Sequence, residues 1–234
     1  MTPKNKHLNA RPGGYKMKIV LLFAGRVGLS HTTYDNIMQN VVGTNTCDVF
    51  LSHDPTLNES VVRFIELYNP VSINNEHIPL DEFITTMPDS DIAWAKRRVQ
   101  CQFYNKKRVL QVMQKHGREY DVVVMYRSDV ITHTPIDFSK FVFDDKTVFI
   151  PNGCDYYGIN DQIAFGSMKA MEVYMSLYDS MKTYYMQGIR FLGEPMLKQH
   201  IDVNCLSVVR FDFDYFILRP DRWNELRYDA YTTS

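Results

Sequence analysis

Residues 17–24 read MKIVLLFA, a nearly continuous apolar run that is rich in Ile, Val and Leu. A run without polar alternation predicts a strand that is buried on both faces, as in a parallel sheet that helices cover. The next four residues, Gly25-Arg26-Val27-Gly28, interrupt the run, because glycine favours turns. The stretch therefore predicts one strand of a buried parallel sheet.

The residues that follow alternate between helix and strand patterns. Helical spacing at 34–42 and 61–68 alternates with apolar runs at 47–54 and 70–73. The order strand, helix, strand, helix, strand is the signature of an α/β sheet.

The second half of the chain adds elements of both kinds. Residues 74–93 are irregular and polar, and a helix is predicted from about Ile92 to Lys115, ended by Gly117. The strongest strand signal of the chain, YDVVVMY, follows at 120–126. Further strands are predicted at 148–151, 163–166 and 208–218, and further helices at 168–185 and 194–201.

The chain is predicted to form one domain after a short leader. Residues 1–16 are polar, contain Pro12-Gly13-Gly14 and are expected to be flexible. Residues 17–234 show no repeat, low-complexity tract or linker, so they are assigned to a single domain.

Composition excludes several classes of protein. The 26 basic and 27 acidic residues give a net charge of −1, which argues against a nucleic-acid partner. A hydrophobic content of 45% is ordinary for a globular protein, and the 13% of aromatic residues predict both core packing and pocket walls.

Neither the cysteines nor the apolar runs indicate an exported or membrane protein. The four cysteines lie far apart, which predicts buried free thiols in a reducing compartment. The apolar run Ile19–Ala24 is too short to span a bilayer, which needs about 20 residues, and no cleavage site follows it. A cytoplasmic protein without a transmembrane segment is expected.

Polar residues follow three of the predicted strands, at Gly25-Arg26, His53-Asp54 and Arg127-Ser128-Asp129. Ligands of open α/β sheets bind beyond the carboxyl ends of the strands, so these clusters are expected to converge on one site. The spacing of Gly25-Arg26-Val27-Gly28 is not that of a dinucleotide fingerprint, which disfavours a Rossmann NAD site.

Asp129 is the preferred metal-binding candidate. Its carboxylate could hold Mg²⁺ or Mn²⁺, and the neighbouring Arg127 could pair with a phosphate. The alternative is an Arg–Asp salt bridge at the end of the strand. Two Asp-x-Asp triplets are weaker candidates. Asp89–Asp91 is explained as a helix cap, and the carboxylates of Asp212–Asp214 are explained as the solvent-exposed face of a strand.

The segment 155–162 suggests contacts with a sugar. The amide and acid groups of Asn160, Asp161 and Gln162 could bond sugar hydroxyls, while the rings of Tyr156 and Tyr157 pack on its C–H faces. A turn is the alternative, since Gly, Asn and Asp are turn formers.

Glu194 opens a predicted helix, where an acid is either favoured by the helix dipole or aimed at a substrate as a general base. His200 is a weaker candidate for a metal ligand, because a lone histidine is more often structural. The basic clusters at 96–98 and 106–108 are expected to form a solvated face, although some members could reach a diphosphate.

Taken in order, the motifs at 23–26, 47–50, 120–129 and 160–166 resemble those of GT-A glycosyltransferases, most closely those of bacterial surface-polysaccharide loci and large DNA viruses. The similarity runs from about Lys18 to Arg219. It implies a Rossmann-like GT-A fold: a mixed, mostly parallel central sheet flanked by helices.

The resemblance also implies a nucleotide-sugar donor, with Mn²⁺ or Mg²⁺ on its diphosphate, and assigns roles to individual residues. Asp161 would lie near the acceptor or donor sugar, and Glu194 resembles the late acidic residue that serves as the base in inverting members. Either Glu194 or Asp161 is therefore the expected catalytic base. Arg127 stands where the family has the first acid of its Asp-x-Asp motif, so either Asp129 alone binds the metal or Arg127 does part of its work. The donor site would comprise Ala24, Gly25, Arg26, Asp54, Arg127 and Asp129.

The predicted function is transfer of a hexose or pentose from a nucleotide sugar to a hydroxyl of a glycan or glycoconjugate, as in polysaccharide biosynthesis. If the chain is viral, the host cytoplasm is its expected location. Two alternatives stay open. One is a nucleotidyltransferase, although residues 25–28 match only a small part of the glycine-rich loop that such enzymes have. The other is a non-catalytic module that binds a glycan or a nucleotide.

Overall fold

A computed structural model describes residues 16–53, 55, 59–79, 81–87 and 93–219. Nearly all of the predicted leader, the triplet Asp89–Asp91 and the predicted nucleotide contact Asp54 lie outside these residues.

The core of the fold is a seven-stranded sheet with the strand order β3-β2-β1-β4-β7-β6-β8. Its strands are β1 (Lys18–Ala24), β2 (Thr46–Ser52), β3 (Ser72–Asn74), β4 (Val122–Tyr126), β6 (Thr147–Pro151), β7 (Ile163–Gly166) and β8 (Ser207–Phe211). A separate antiparallel pair joins β5 (Val130–Thr132) to β9 (Tyr215–Ile217).

Six strands of the large sheet run in one direction, and β7 alone runs against its neighbours β4 and β6. The predicted mixed, mostly parallel sheet is therefore confirmed. The carboxyl ends of the six parallel strands and the amino end of β7 lie at the same edge, which we call the carboxyl edge; the opposite one is the amino edge.

Helices cover both faces of the sheet. They are α1 (Ser30–Ile37), which continues as a π-helical turn (Met38–Val42), α2 (Glu59–Tyr68), α3 (Glu82–Thr86), α4 (Ala93–Lys115), α5 (Met168–Met175), α6 (Met181–Met186) and α7 (Gly193–Val203). In β1, Val20 and Leu22 pack with the cluster that includes α4, whereas Leu21 and Phe23 pack with α1 and α2. This confirms the prediction that β1 is buried on both faces.

Two long predicted elements are wrong in length. The helix predicted at 168–185 is interrupted at Ser176, whose hydroxyl donates to the carbonyl of Val173 (2.9 Å), and a 3-10 turn (Leu177–Ser180) separates α5 from α6. The strand predicted at 208–218 is two strands, because β8 pairs with β6 whereas β9 pairs with β5.

Shorter elements were missed or displaced. The first helix begins at Ser30 rather than at residue 34, and the irregular stretch 74–93 contains α3. The three-residue strand β5 was not predicted at all. Its residues Val130–Thr132 are too few to show a period.

All four cysteines are free thiols, but Cys154 and Cys205 are exposed, contrary to the expected burial. Both have positive φ angles and lie in segments outside helices and strands, where the chain runs over the surface. Among the described helices, none combines the length and the apolarity required to cross a membrane.

Candidate active site

The end of β2 and the loops that follow β1 and β4 meet at the carboxyl edge. The amide of Gly25 donates to the carbonyl of Ser52 (2.7 Å), and the Ser128 hydroxyl donates to the carbonyl of Arg26 (2.9 Å). Gly25 has φ +96°, a conformation that glycine adopts without strain. Ala24 ends β1 beside this turn, and the Arg26 side chain is exposed to solvent.

Arg127 and Asp129 form a bidentate ion pair at this edge. The guanidinium donates from Nε to Oδ1 (2.8 Å) and from Nη2 to Oδ2 (2.7 Å) of the same carboxylate. Burial opposes the charge of Arg127, but the hydrogen bonds and charge of Asp129 outweigh it and raise the pKa of Arg127. The salt-bridge alternative for this motif is thus the arrangement that the structure contains.

The described residues do not fit a divalent metal ion. Both oxygens of Asp129 accept bonds from Arg127, and no group of three or more His, Cys, Asp or Glu side chains suited to a metal occurs in the described ranges. His200 is buried elsewhere, with Nδ1 3.1 Å from the Tyr184 hydroxyl and Nε2 2.7 Å from the Val173 carbonyl. It has the structural role that was the alternative to metal binding.

Asp161 lies at the amino end of β7 and is held from two sides. Its Oδ2 accepts a bond from Nε2 of Gln102 (2.5 Å), and its backbone carbonyl accepts one from Nζ of Lys106 (2.5 Å). A Cβ on Gly193 would collide with Oδ2, so the carboxylate sits against the first residue of α7. The positive end of a helix dipole stabilises an anion there.

Glu194 follows in the first turn of α7 and is half-buried. Burial and then the nearby charge of Asp161 raise the pKa of Glu194, whereas Lys106 acts in the opposite direction. The fold therefore brings together the two carboxylates that were predicted separately as catalytic. A carboxylate with a raised pKa is suited to accept a proton.

Lys106 is the functional candidate that the sequence interpretation missed. It is 3% exposed on α4, and its Nζ lies 4.6 Å from the centre of the Phe103 ring. Burial lowers the pKa of Lys106 to about 8, although the charges of Asp161 and Glu194 favour its protonated form.

The prediction of a solvated basic face is wrong for Lys106 and also for Lys96, which is buried and donates to the carbonyl of Met87 (2.9 Å). A signal for Lys106 was present in the sequence. The residue lies three positions from both Phe103 and Val109, hence on the apolar face of the helix.

Asn160 and Gln162 face the interior of the loop that precedes β7. The Asn160 amide donates to the Tyr215 hydroxyl (2.7 Å) and to the Gly153 carbonyl (3.0 Å), and the Tyr215 hydroxyl donates to Oε1 of Gln162 (3.0 Å). Both side chains are buried, so these bonds brace the loop. Their predicted contact with a sugar would require these bonds to rearrange.

The two predicted aromatic contacts are accessible. Tyr156 and Tyr157 are 64% and 90% exposed, and both have positive φ angles, which cost energy in residues other than glycine. The strained loop thus presents two rings to solvent beside the polar cluster.

A second polar network that the sequence did not reveal ties β2 and β3 to α4. The Ser52 hydroxyl donates to Oδ1 of Asn105 (2.8 Å) and accepts from Nδ2 of Asn74 (3.1 Å). All three side chains are buried. Because Asn105 precedes Lys106, this network fixes the part of α4 that faces the site.

Comparisons with known proteins locate similar solved structures only. No protein-family model matches the chain, and no curated protein matches it. The glycosyltransferase GlyE of Streptococcus pneumoniae TIGR4 is similar at 11% identity and a TM-score of 0.49, over 82% of this chain and 45% of that one. This chain thus spans less than half of the pneumococcal protein.

A putative nucleotide-diphospho-sugar transferase of Desulfovibrio desulfuricans G20 is similar at 15% identity and a TM-score of 0.47. The match covers 85% of this chain and 80% of that one.

Proposed function

We propose that the chain is a glycosyltransferase that moves a hexosyl or pentosyl group from a nucleotide-diphosphate sugar to a hydroxyl of a glycan acceptor. One observation carries the proposal: a fixed guanidinium, a buried lysine and two carboxylates converge at the carboxyl edge of the sheet. Sugar transfer from such a donor needs stabilisation of a diphosphate leaving group and a base for the incoming hydroxyl.

The donor diphosphate is assigned to the loops after β1 and β4, where Arg26 and Arg127 lie. Gly25, with φ +96°, gives the loop after Ala24 a conformation that would let its backbone approach a phosphate closely. Asp54, for which a nucleotide contact was predicted, stays in the proposal as a prediction.

Glu194 is assigned as the base. Its raised pKa fits a carboxylate that takes the proton of the acceptor hydroxyl as the oxygen attacks the sugar carbon. Asp161 is assigned to the site beside it, where its charge helps to raise the pKa of Glu194. The exposed rings of Tyr156 and Tyr157 are assigned to the acceptor side, since aromatic faces pack against sugar C–H groups.

A panel of nucleotide sugars, incubated with the chain and a mixed set of oligosaccharides, tests the proposal. Release of a nucleoside diphosphate with glycosylation of an acceptor is the expected result. Release of pyrophosphate would indicate a nucleotidyltransferase instead, and binding without turnover would indicate a non-catalytic module. A Glu194→Gln preparation provides the catalytic control, because glutamine keeps the size of the side chain but cannot act as a base.

A further inference from the structure

We propose that the diphosphate is stabilised by guanidinium groups of this chain, chiefly that of Arg127, and that Asp129 positions Arg127 instead of ligating a divalent cation. The inference rests on the proposed function and departs from the metal dependence that the family resemblance implies. It makes Asp129 a positioning residue and Arg127 the group that contacts phosphate.

The first support is the way in which the ion pair uses its donors. A guanidinium has five N–H donors in a rigid fork, and Asp129 takes only two of them, one from Nε and one from Nη2. The side chain of Arg127 is 32% exposed, so the remaining donors can reach a ligand. A fork already held in place loses little side-chain entropy when it binds an anion.

The second support is a neighbouring cation. Arg26 is exposed, and among the residues that the structure describes its side chain makes no hydrogen bond or ion pair. Its backbone is tied to the Arg127–Asp129 segment, because the Ser128 hydroxyl donates to the Arg26 carbonyl (2.9 Å). Two guanidinium groups on adjacent loops can bind the two phosphates of a diphosphate.

The third support is the state of the neighbouring acids. Both oxygens of Asp129 already accept bonds from the Arg127 guanidinium, whose positive charge opposes the binding of a divalent cation at the same carboxylate. Oδ2 of Asp161 accepts from Gln102 and lies against the start of α7.

Binding of inorganic pyrophosphate, UDP and GDP, measured by calorimetry and thermal shift, tests the inference without any turnover. We expect at least one of these probes to bind with the same affinity in excess EDTA as in Mn²⁺. Binding that requires Mn²⁺ would overturn the inference and leave the proposed function standing. Failure of every probe under both conditions would overturn both.

Substitutions in the pair sharpen the test. Arg127→Met should weaken binding of the same probe roughly 10- to 100-fold, as expected for loss of charge-assisted hydrogen bonds. Asp129→Asn should weaken it less, because the amide oxygen still accepts one bond from the guanidinium. A greater loss from Asp129→Asn than from Arg127→Met would contradict the inference.

Arg118→Met is the matched control. Arg118 also pairs with an aspartate, Asp48 (2.8 Å), but does so away from the site. The Arg118→Met substitution should leave probe binding unchanged. Arg127→Lys, which keeps the charge but not the fork, should fall between wild type and Arg127→Met, which shows that the loss does not reflect unfolding.

Mn²⁺ titration followed by electron paramagnetic resonance gives an independent readout. With the probe present, the wild-type chain should bind no Mn²⁺ of its own. The amount of bound Mn²⁺ should equal that in a sample of the probe without protein. A protein-bound signal that disappears in Asp129→Asn would overturn the inference.

Discussion

The two edges of the central sheet both contain an Arg–Asp pair, yet the pairs have different surroundings. At the amino edge, Asp48 accepts bonds from Arg118 and from the Tyr120 hydroxyl, each at 2.8 Å, and the Arg118 side chain is 47% exposed. At the carboxyl edge, the pair of Arg127 and Asp129 adjoins a buried lysine and two further carboxylates.

The difference shows in the direction of the pKa shifts. At the amino edge, burial raises the pKa of Asp48, but the bonds from Arg118 and Tyr120 outweigh it, so the net shift is downward and the charged state is favoured. At the carboxyl edge, burial raises the pKa of Glu194 and lowers that of Lys106, so the charged states of these two groups are disfavoured. Groups held in a disfavoured charge state are suited to proton transfer, which is why we assign the proposed chemistry to the carboxyl edge and not to the amino edge.

The largest expected effect is that of Glu194→Gln. Loss of a general base lowers turnover by roughly 100- to 10,000-fold, and steady-state transfer to an acceptor measures it. Asp202→Asn is the matched control, because Asp202 lies on the same helix in an exposed pair with Lys198. Equal activity of the Glu194 variant and wild type would remove Glu194 from the mechanism.

Lys106→Met should have the next largest effect. It removes the donor to the Asp161 carbonyl and a positive charge beside both carboxylates, so turnover should fall by about 10- to 100-fold, or about 1.4 kcal/mol for each tenfold. The control is Lys96→Met, which also deletes a buried ammonium that donates to a backbone carbonyl. If both variants lose activity equally, the role of Lys106 is structural.

The pH dependence of transfer should respond in opposite directions to two substitutions. Because the pKa of Glu194 is raised, the acid limb of kcat/KM should lie above 4.5, the ordinary value for this group. Asp161→Asn removes a negative neighbour and should move the limb to lower pH, whereas Lys106→Met removes a positive one and should move it to higher pH. Shifts of the same sign in both variants would exclude this electrostatic arrangement.

The sequence predicted the sheet because each strand carries its own signal. Apart from Lys18 and Asp121 near their starts, residues 17–24 and 120–126 form apolar runs, and the burial of these strands on both faces follows from that pattern without knowledge of any partner. The position of the site followed in turn, since parallel strands place their carboxyl ends together. Arg26, Arg127 and Asp129 were therefore assigned to one region before any contact was known, whereas the site roles of Asp161 and Glu194 came from the family resemblance.

The partners within that region were not predictable, because they are distant along the chain. Lys106 bonds the carbonyl of a residue 55 positions away, and Asn160 bonds a hydroxyl 55 positions away in Tyr215. A local pattern shows that a side chain is polar but not whether it faces a ligand or another loop. For the same reason Lys106 was assigned to a solvated face, and Asn160 to a sugar.

The smallest expected effect lies at the amino edge. Asp48→Asn should leave transfer unchanged and lower Tm by no more than about 4 °C, because an ion pair whose Arg118 side chain is 47% exposed contributes little. The pKa of Asp48 is depressed in the folded state, so its contribution is complete above the unfolded value and disappears as pH falls through the folded one. The Tm difference between wild type and Asp48→Asn should therefore be present at neutral pH and vanish on acidification, as calorimetric scans across the acid range would show. Any loss of transfer in this variant would mean that the two edges are coupled through β2, contrary to the separation of stability from chemistry that their surroundings indicate.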